Sequence, residues 1–299
     1  MEVMRVVMNG EGFFDSRHAV AKPPGKKRIL FLGDSFTIGF GVSRGHRYTD
    51  RIQQILGSGY EVINLGMWGW STDQELLVLK EKGLKYSPDV VVLAMFLDDI
   101  SNCHLFSVNE GLFLKPKFSL VEGDRLELEN VPVPDNRTKS VLYDIMVTRF
   151  YRLRNRLELG SEFERLGFLA VFDRSYAKKY RYTLPLRLVD EIHRILKAKQ
   201  IQFLLVIIPY TDQFVAQRIY AGEKGYFGIP PERLDLLLPQ KVVKLYCSEE
   251  GIPMLDLLPA FRAGYGREKL FFNRDLHWTD AGHSLAAKTI VERLRQDYF

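Results

Sequence analysis

The stretch RILFLGDSFTIGFGV, residues 28–42, decides how the chain is read. An apolar run stops abruptly at Gly33-Asp34-Ser35, and glycines follow at 39 and 41. Two readings fit. A β-strand feeds a tight turn whose Asp or Ser caps a helix. Or the strand ends there to present a serine for chemistry. The rest of the chain has to decide between them.

Four further runs resemble the first: YEVINLG (60–66), DVVVLAMFL (89–97), QFLLVIIP (202–209) and IPMLDL (252–257). They are short, rich in β-branched residues and bounded by turn residues. Their hydrophobicity is continuous rather than alternating, which predicts strands buried on both faces of a parallel sheet. Helical patterns lie between them. HRYTDRIQQILG (46–57) ends at a glycine, and STDQELLVLKEKGLKY (71–86) opens with Thr72 and Glu75 at capping-box spacing. LRLVDEIHRILKAKQ (186–200), LPQKVVKLYCSEEG (238–251) and DAGHSLAAKTIVERLRQ (280–296) complete the set. This alternation predicts a three-layer α/β/α fold with right-handed crossovers.

Residues 101–185 break the rhythm. GLFLKPKFSLVEGDRLELENVPVP carries a Glu-Gly-Asp turn between two alternating runs and reads as a hairpin, and VTRFYRLRNRLEL reads as a helix. We expect residues 1–27 to be an N-terminal extension and 28–299 one domain, with 101–185 inserted as a lid or substrate wall. The opposing expectation is a packing decoration.

Bulk properties narrow the function classes. A hydrophobic fraction of 46% and a charged fraction of 26% are those of an ordinary globular protein with a sizeable core. A net charge of +5 over 299 residues is mild, and no nucleic-acid module is recognisable. Basic clusters at 149–156 and 178–187 read as solvated faces, with an anionic surface or substrate as the alternative. Cys103 and Cys247 belong to no CxxC or Cys/His cluster, so structural zinc is not expected, and the two read as free thiols. No cofactor or metal is called for. The N-terminus has no signal-like apolar region, and the longest apolar run is too short to span a bilayer. The default expectation is a cytoplasmic protein; the alternative is the soluble part of an exported or membrane-anchored one. The oligomeric state is not legible.

Ser35 needs a base to become a nucleophile. Of six histidines, His18 precedes the first strand, and His46 and His193 fall in helical patterns as surface residues. His277 lies in a polar loop before the last helix, with Asp275 two residues ahead. His283 reads as a structural histidine of that helix.

LGDSFTIGFGV, NLGMWGWST and DLHWTDAGH together resemble the SGNH/GDSL hydrolase family. NGEGFFD, YSPDVVVLAMFLDDISN and the hairpin ending NVPVP are similar to its bacterial members. The resemblance spans about residues 9–299. It implies a flavodoxin-like five-stranded parallel sheet and a catalytic triad of Ser35, His277 and Asp275. Ser35 and Gly66 match the backbone oxyanion donors, and a glycine at 66 would let the backbone approach a substrate.

Two departures stand out. Where the family has Gly-x-Asn-Asp, this chain has Phe96-Leu97-Asp98-Asp99, so Asp98 replaces the asparagine donor. An ionised carboxylate cannot donate. Burial beside Asp99 would protonate it, Asn102 would substitute for it, or the site runs on two donors. The second departure is Asp-x-His in place of Asp-x-x-His, which leaves the role of Asp275 less secured. The reading is a serine esterase acting through an acyl-enzyme, without a cofactor, on a small-molecule or carbohydrate acyl ester, with a short acyl group on a sugar as first choice. Trp68, Trp70 and Tyr210, at strand ends, would form an aromatic floor for the sugar, or else they belong to the core. An O-acyltransferase using the same triad and an inactive glycan-binding or assembly protein are the alternatives. A nucleotide-binding module is disfavoured: GDSFTIGFG has no Lys-Ser/Thr pair and no G-x-G-x-x-G.

Overall fold

The computed structural model describes residues 6–104, 107–108, 113–131, 146, 149, 167–175, 182–214, 229–273 and 275–299. The helix expected over 147–159, residue 149 apart, lies outside the described residues, as do residues 150–156 and 178–181 of the basic clusters. Five parallel strands form the main sheet: β1 (Lys27–Gly33), β2 (Tyr60–Asn64), β3 (Val90–Phe96), β8 (Gln202–Ile208) and β9 (Met254–Asp256), in the order β2-β1-β3-β8-β9. They are the five strands expected from the apolar runs. The order places β1 beside β3, pairing Gly33 with Ala94, so the turns after both strands open on the same edge.

The continuous runs bury alternate residues on opposite faces. Leu30, Leu32, Val91, Leu93 and Met95 join one core with Leu76 and Leu79 of α3 (Thr72–Glu81) and Leu188 and Ile192 of α5 (Thr183–Ala198). Ile29, Phe31, Val90, Val92 and Phe96 join the other with Ile52 of α2 (Tyr48–Leu56) and Ile290 of α8 (Asp280–Asp297). This is the expected three-layer α/β/α arrangement. Two short helices, α1 (Ser35–Ile38) and α4 (Asp99–Asn102), follow β1 and β3, and α6 (Leu238–Glu250) and α7 (Leu258–Gly264) flank β9. Among the described residues no helix is long and apolar enough to cross a membrane. Cys103 and Cys247 are free and buried.

The Glu-Gly-Asp turn joins β6 (Lys117–Val121) to β7 (Arg125–Glu129) in antiparallel register, as the alternation indicated. A second small pair, β4 (Ser107–Val108) and β5 (Phe113–Leu114), precedes it. The hairpin is pinned by Lys115. Its ammonium, 2% exposed, donates to Asp73 Oδ2 at 2.5 Å and Ser71 Oγ at 3.0 Å, at the start of α3. This contact explains a correction. The N-cap of α3 is Ser71, one residue before Thr72, and no capping box forms. Ser71 Oγ serves Asp73 and Lys115 instead, and Glu75 turns into the protein, where both its carboxyl oxygens are buried without a partner.

The N-terminal segment is held by two buried arginines. Arg28 donates to the carbonyls of Ala19, Val20, Ala21 and Tyr86 and to Glu61 Oε2. Arg47 binds the Phe14 carbonyl, Asp15 and Asp50. Phe13 and Phe14 are buried as a result.

Candidate active site

The Gly-Asp-Ser turn caps a helix, as the first reading expects, and leaves the Ser35 hydroxyl half-buried at the strand end. Asp34 is the N-cap of α1, its Oδ1 accepting from the Phe36 N–H at 2.9 Å. Ser35 is the first residue of that helix, so its N–H is one that a helix start leaves without an intrahelical acceptor. The cap fixes the turn, and the turn aims the hydroxyl across the sheet edge.

His277 meets it there. Its Nε2 lies 2.7 Å from Ser35 Oγ, and its Nδ1 is bonded to Asp275 Oδ1. Asp275 Oδ1 also accepts the His277 N–H at 2.8 Å. One carboxyl oxygen therefore closes a two-residue turn and orients the ring, which is why the shorter Asp-x-His spacing works geometrically. The loop is a tight return: Phe271 pairs with Trp278, and the Phe272 N–H donates to the His277 carbonyl at 3.1 Å. Trp278, 1% exposed, anchors it, stacked on Phe261 and edge-on to Phe36. The imidazole rests against Phe36 and Phe40, at 4.9 and 4.6 Å between ring centres. Burial among these rings holds it below its ordinary value of 6.5, against the pull of Asp275. His283 is buried, accepts from the Tyr48 N–H, and is pushed down to about 3 by burial, which suits the structural part expected of it. His46 is exposed beside Asp280, and His193 is half-buried.

The other candidates are placed less simply. The Gly66 N–H donates to Asn64 Oδ1 at 2.9 Å, so its hydrogen is engaged within the fold. The glycine is required for another reason than the expected approach to substrate: a Cβ there would fall 2.6 Å from Ile38 N and Thr37 Cβ, so residue 66 packs directly on α1. Asn64, which bonds the Thr37 carbonyl and Thr49 Oγ1, ties the same two segments together. It escaped sequence reasoning, although an Asn two residues before a Gly is an Asx-turn signal.

Asp98 follows the end of β3, and Asn102 Nδ2 donates to its Oδ1. Other carboxyls gather around it, of which sequence reasoning missed only Glu75. Asp34 is pushed up to about 7, mainly by burial and partly by Asp98. Asp98 is pushed up to about 6 by burial. Glu75 and Asp99 are raised well above the ordinary range by burial and by their acidic neighbours. Asp99 Oδ2 accepts the Phe96 N–H at 2.8 Å and so fixes the turn that carries Asp98. No group of His, Cys, Asp or Glu able to hold a metal ion occurs among the described residues.

The aromatic trio disperses. Trp70 packs edge-on against Phe13 and lines a cleft of about 420 Å³ with Met67, Leu77, Pro116 and Leu128. Tyr210 packs instead against Phe96 and Phe172. Trp68 is largely at the surface. No ring contact among the described residues joins the three.

Residues 170–299, which include Asp275 and His277, match the family model described as "SGNH hydrolase-like domain, acetyltransferase AlgX". The likeness to the SGNH/GDSL hydrolases holds. Similar solved structures include a Lactobacillus plantarum protein (12% identity, TM-score 0.50, covering 92% of this chain and 99% of that one). Others are a member of the lipolytic G-D-S-L family from Veillonella parvula (12%, 0.47, 90% and 99%) and an acetyl xylan esterase (17%, 0.47, 89% and 99%). At such identities the shared property is the fold. No curated protein sequence matches the chain significantly.

Proposed function

We propose that the chain is a serine esterase in which Ser35 is the nucleophile, His277 the general base and acid, and Asp275 the group that orients and charge-balances His277. The observation that carries this reading is the 2.7 Å contact between Ser35 Oγ and His277 Nε2, with Nδ1 of the same ring bonded to Asp275. His277 takes the Oγ proton as Oγ bonds the ester carbonyl carbon. Collapse of the tetrahedral intermediate expels the alcohol, which leaves with that proton. Water, deprotonated by His277, then releases the acid and restores Ser35. The Ser35 N–H, free of an intrahelical acceptor, supplies one oxyanion donor.

For the substrate we favour a short acyl group, acetyl first, on a carbohydrate. The test is hydrolysis of p-nitrophenyl acetate, butyrate and octanoate by the purified protein. We expect turnover of all three with acetate preferred. Preference for octanoate would overturn the short-chain assignment, and silence on every ester would overturn hydrolysis. The description of the matched family as an acetyltransferase favours one second reading: the acyl-enzyme passes its acyl group to a sugar hydroxyl rather than to water. Formation of an acetylated oligosaccharide at the expense of free acetate would establish it.

The base must be neutral to act. Since burial holds His277 below 6.5, kcat/KM should rise with pH through a midpoint under that value. A midpoint at or above 7 in a pH–rate profile would contradict the assignment of His277 as a buried base.

A further inference from the structure

We propose that the N-terminal segment is a strap that seats the nucleophile helix α1, and that His18, charged on both ring nitrogens, is the clasp that holds the strap in place. The consequence for rate rests on the esterase reading above; the clasp itself does not. No sequence motif gives His18 a part, yet it heads a chain of hydrogen bonds that ends on α1.

The chain of bonds starts on either side of the imidazole. His18 Nδ1 lies 2.9 Å from Glu61 Oε1, near the start of β2. His18 Nε2 lies 3.1 Å from Asp15 Oδ2, and the same oxygen accepts the Asn64 N–H at 2.8 Å. Asn64 ends β2, an edge strand of the sheet, so Asp15 covers a backbone donor on that open edge. The strap is therefore tied to β2 at two points three residues apart. The Asn64 side chain passes the constraint on. Its Nδ2 donates to the Thr37 carbonyl at 2.6 Å, and its Oδ1 accepts the Gly66 N–H. Thr37 lies two residues after Ser35 in α1. A shift of Asp15 thus disturbs the group against which the nucleophile helix is seated.

Both ring nitrogens of His18 face carboxyl oxygens, and an ionised carboxylate only accepts. Neither carboxyl supplies the proton itself. Asp15 also takes an N–H of Arg47 at 3.1 Å, and Glu61 takes one of Arg28 at 2.6 Å. An arginine beside a carboxyl keeps it ionised. Two acceptors need two donors, so the ring is an imidazolium. A neutral ring would turn a nitrogen lone pair toward one of the carboxylates and break a bond of the clasp. Burial of the ring, 12% exposed, opposes its charge, but the bonds to Asp15 and Glu61 outweigh this, and His18 is raised above its ordinary 6.5. The other charged and titratable groups around it line two open cavities. Arg44 and Asp50 border one of about 480 Å³, and Glu11, Arg17 and Tyr86 border one of about 660 Å³.

The clasp weakens in one direction only. Its contribution is complete below pH 6.5, where the ring is charged whether the strap is docked or free. It is lost as pH rises through the raised value of the docked ring. Between those limits the equilibrium for opening the strap rises about tenfold per pH unit. An arginine at position 18 would stay charged over this whole range, with a fork able to serve two carboxylates. The cavities on either side leave room for its longer stem.

The test is limited proteolysis by subtilisin between about pH 6 and 9.5, with cuts inside residues 6–22 read by mass spectrometry against a free peptide of that sequence. In the wild type cutting should rise above pH 6.5 by up to about tenfold per unit and then level off. His18→Gln should be cut at least about tenfold faster than the wild type at pH 6, without pH dependence. His18→Arg should match the wild type at pH 6 and stay as resistant at pH 9. A wild type without the rise, a glutamine variant as resistant as the wild type at pH 6, or an arginine variant that opens with pH overturns the clasp. Nitrogen-15 shifts of the His18 ring read its charge without any substitution. Both nitrogens should lose their imidazolium signature with a midpoint above 6.5, and a midpoint at or below that value overturns the proposal. The link to α1 is read from kcat/KM for p-nitrophenyl acetate. It should fall about threefold to tenfold over the alkaline range in the wild type and stay level in His18→Arg, short of the roughly 10²-fold cost of a misplacement of about 1 Å. A level wild type, or a fall shared by His18→Arg, overturns that link. A protein silent on every ester overturns the esterase reading instead and leaves the clasp to the other two measurements.

Discussion

Ser35→Ala should abolish ester hydrolysis, lowering kcat by at least about 10³-fold and by as much as about 10⁶-fold where background permits the measurement. The argument is chemical rather than structural. Ser35 is the first residue of α1, and its side chain bonds only outward, to His277 at 2.7 Å and more distantly to Asp34 at 3.5 Å. Its loss leaves the Asp34 cap, the Gly66 packing and the Trp278 anchor untouched. The melting temperature should therefore hold within about 2 °C, because a half-exposed hydroxyl contributes at most about 1 kcal/mol. His277→Ala should cost nearly as much in rate, and the double variant no more than the worse single one, since the two act as a unit. Independent, multiplying losses would mean that they belong to different steps.

Arg28→Met should produce the largest loss of stability, about 3–5 kcal/mol and on the order of 10 °C in Tm. The guanidinium is fully buried and donates to four backbone carbonyls and to Glu61. Methionine fills much of the stem's volume but removes the donor from those carbonyls and leaves Glu61 with His18 alone. The carbonyls of residues 19–21 belong to the N-terminal segment, so the variant should also expose that segment to limited proteolysis. Denaturant unfolding checks the first effect. A loss below about 1 kcal/mol would mean that residues 6–22 are held by their apolar contacts alone.

The sheet was legible because its runs are continuously apolar and stopped by turn residues; β1, β3 and β8 are buried on both faces, while the edge strand β9 is only partly buried. The contact of Ser35 with His277 and of His277 with Asp275 was legible for a different reason. Ser35 follows a strand, and Asp275 and His277 sit within two residues of one another, so each carries its own local signal. What could not be read depends on partners distant in sequence. Thr72 and Glu75 have capping-box spacing, yet the N-cap position falls on Ser71, whose hydroxyl makes no cap bond but donates to Asp73 and accepts from Lys115, some forty residues later. Gly66 looked like an opening for substrate, whereas its missing side chain accommodates α1 and its N–H belongs to Asn64. Trp70 and Tyr210 both follow strands, but neighbours chosen by the tertiary fold, Phe13 for one and Phe172 for the other, separate their rings. The carboxyls at 34, 75, 98 and 99 give no sequence signal as a group, since only the β1–β3 pairing and the packing of α3 bring them together.

The central claim is that Ser35 is a nucleophile activated by His277. It is tested most directly by reacting the folded protein with a fluorophosphonate and locating the adduct by peptide mass spectrometry. One adduct per chain on Ser35, absent from Ser35→Ala and strongly slowed in His277→Ala, is the expected result. An unlabelled protein, a label on another residue, or labelling at the same rate without His277 would contradict it.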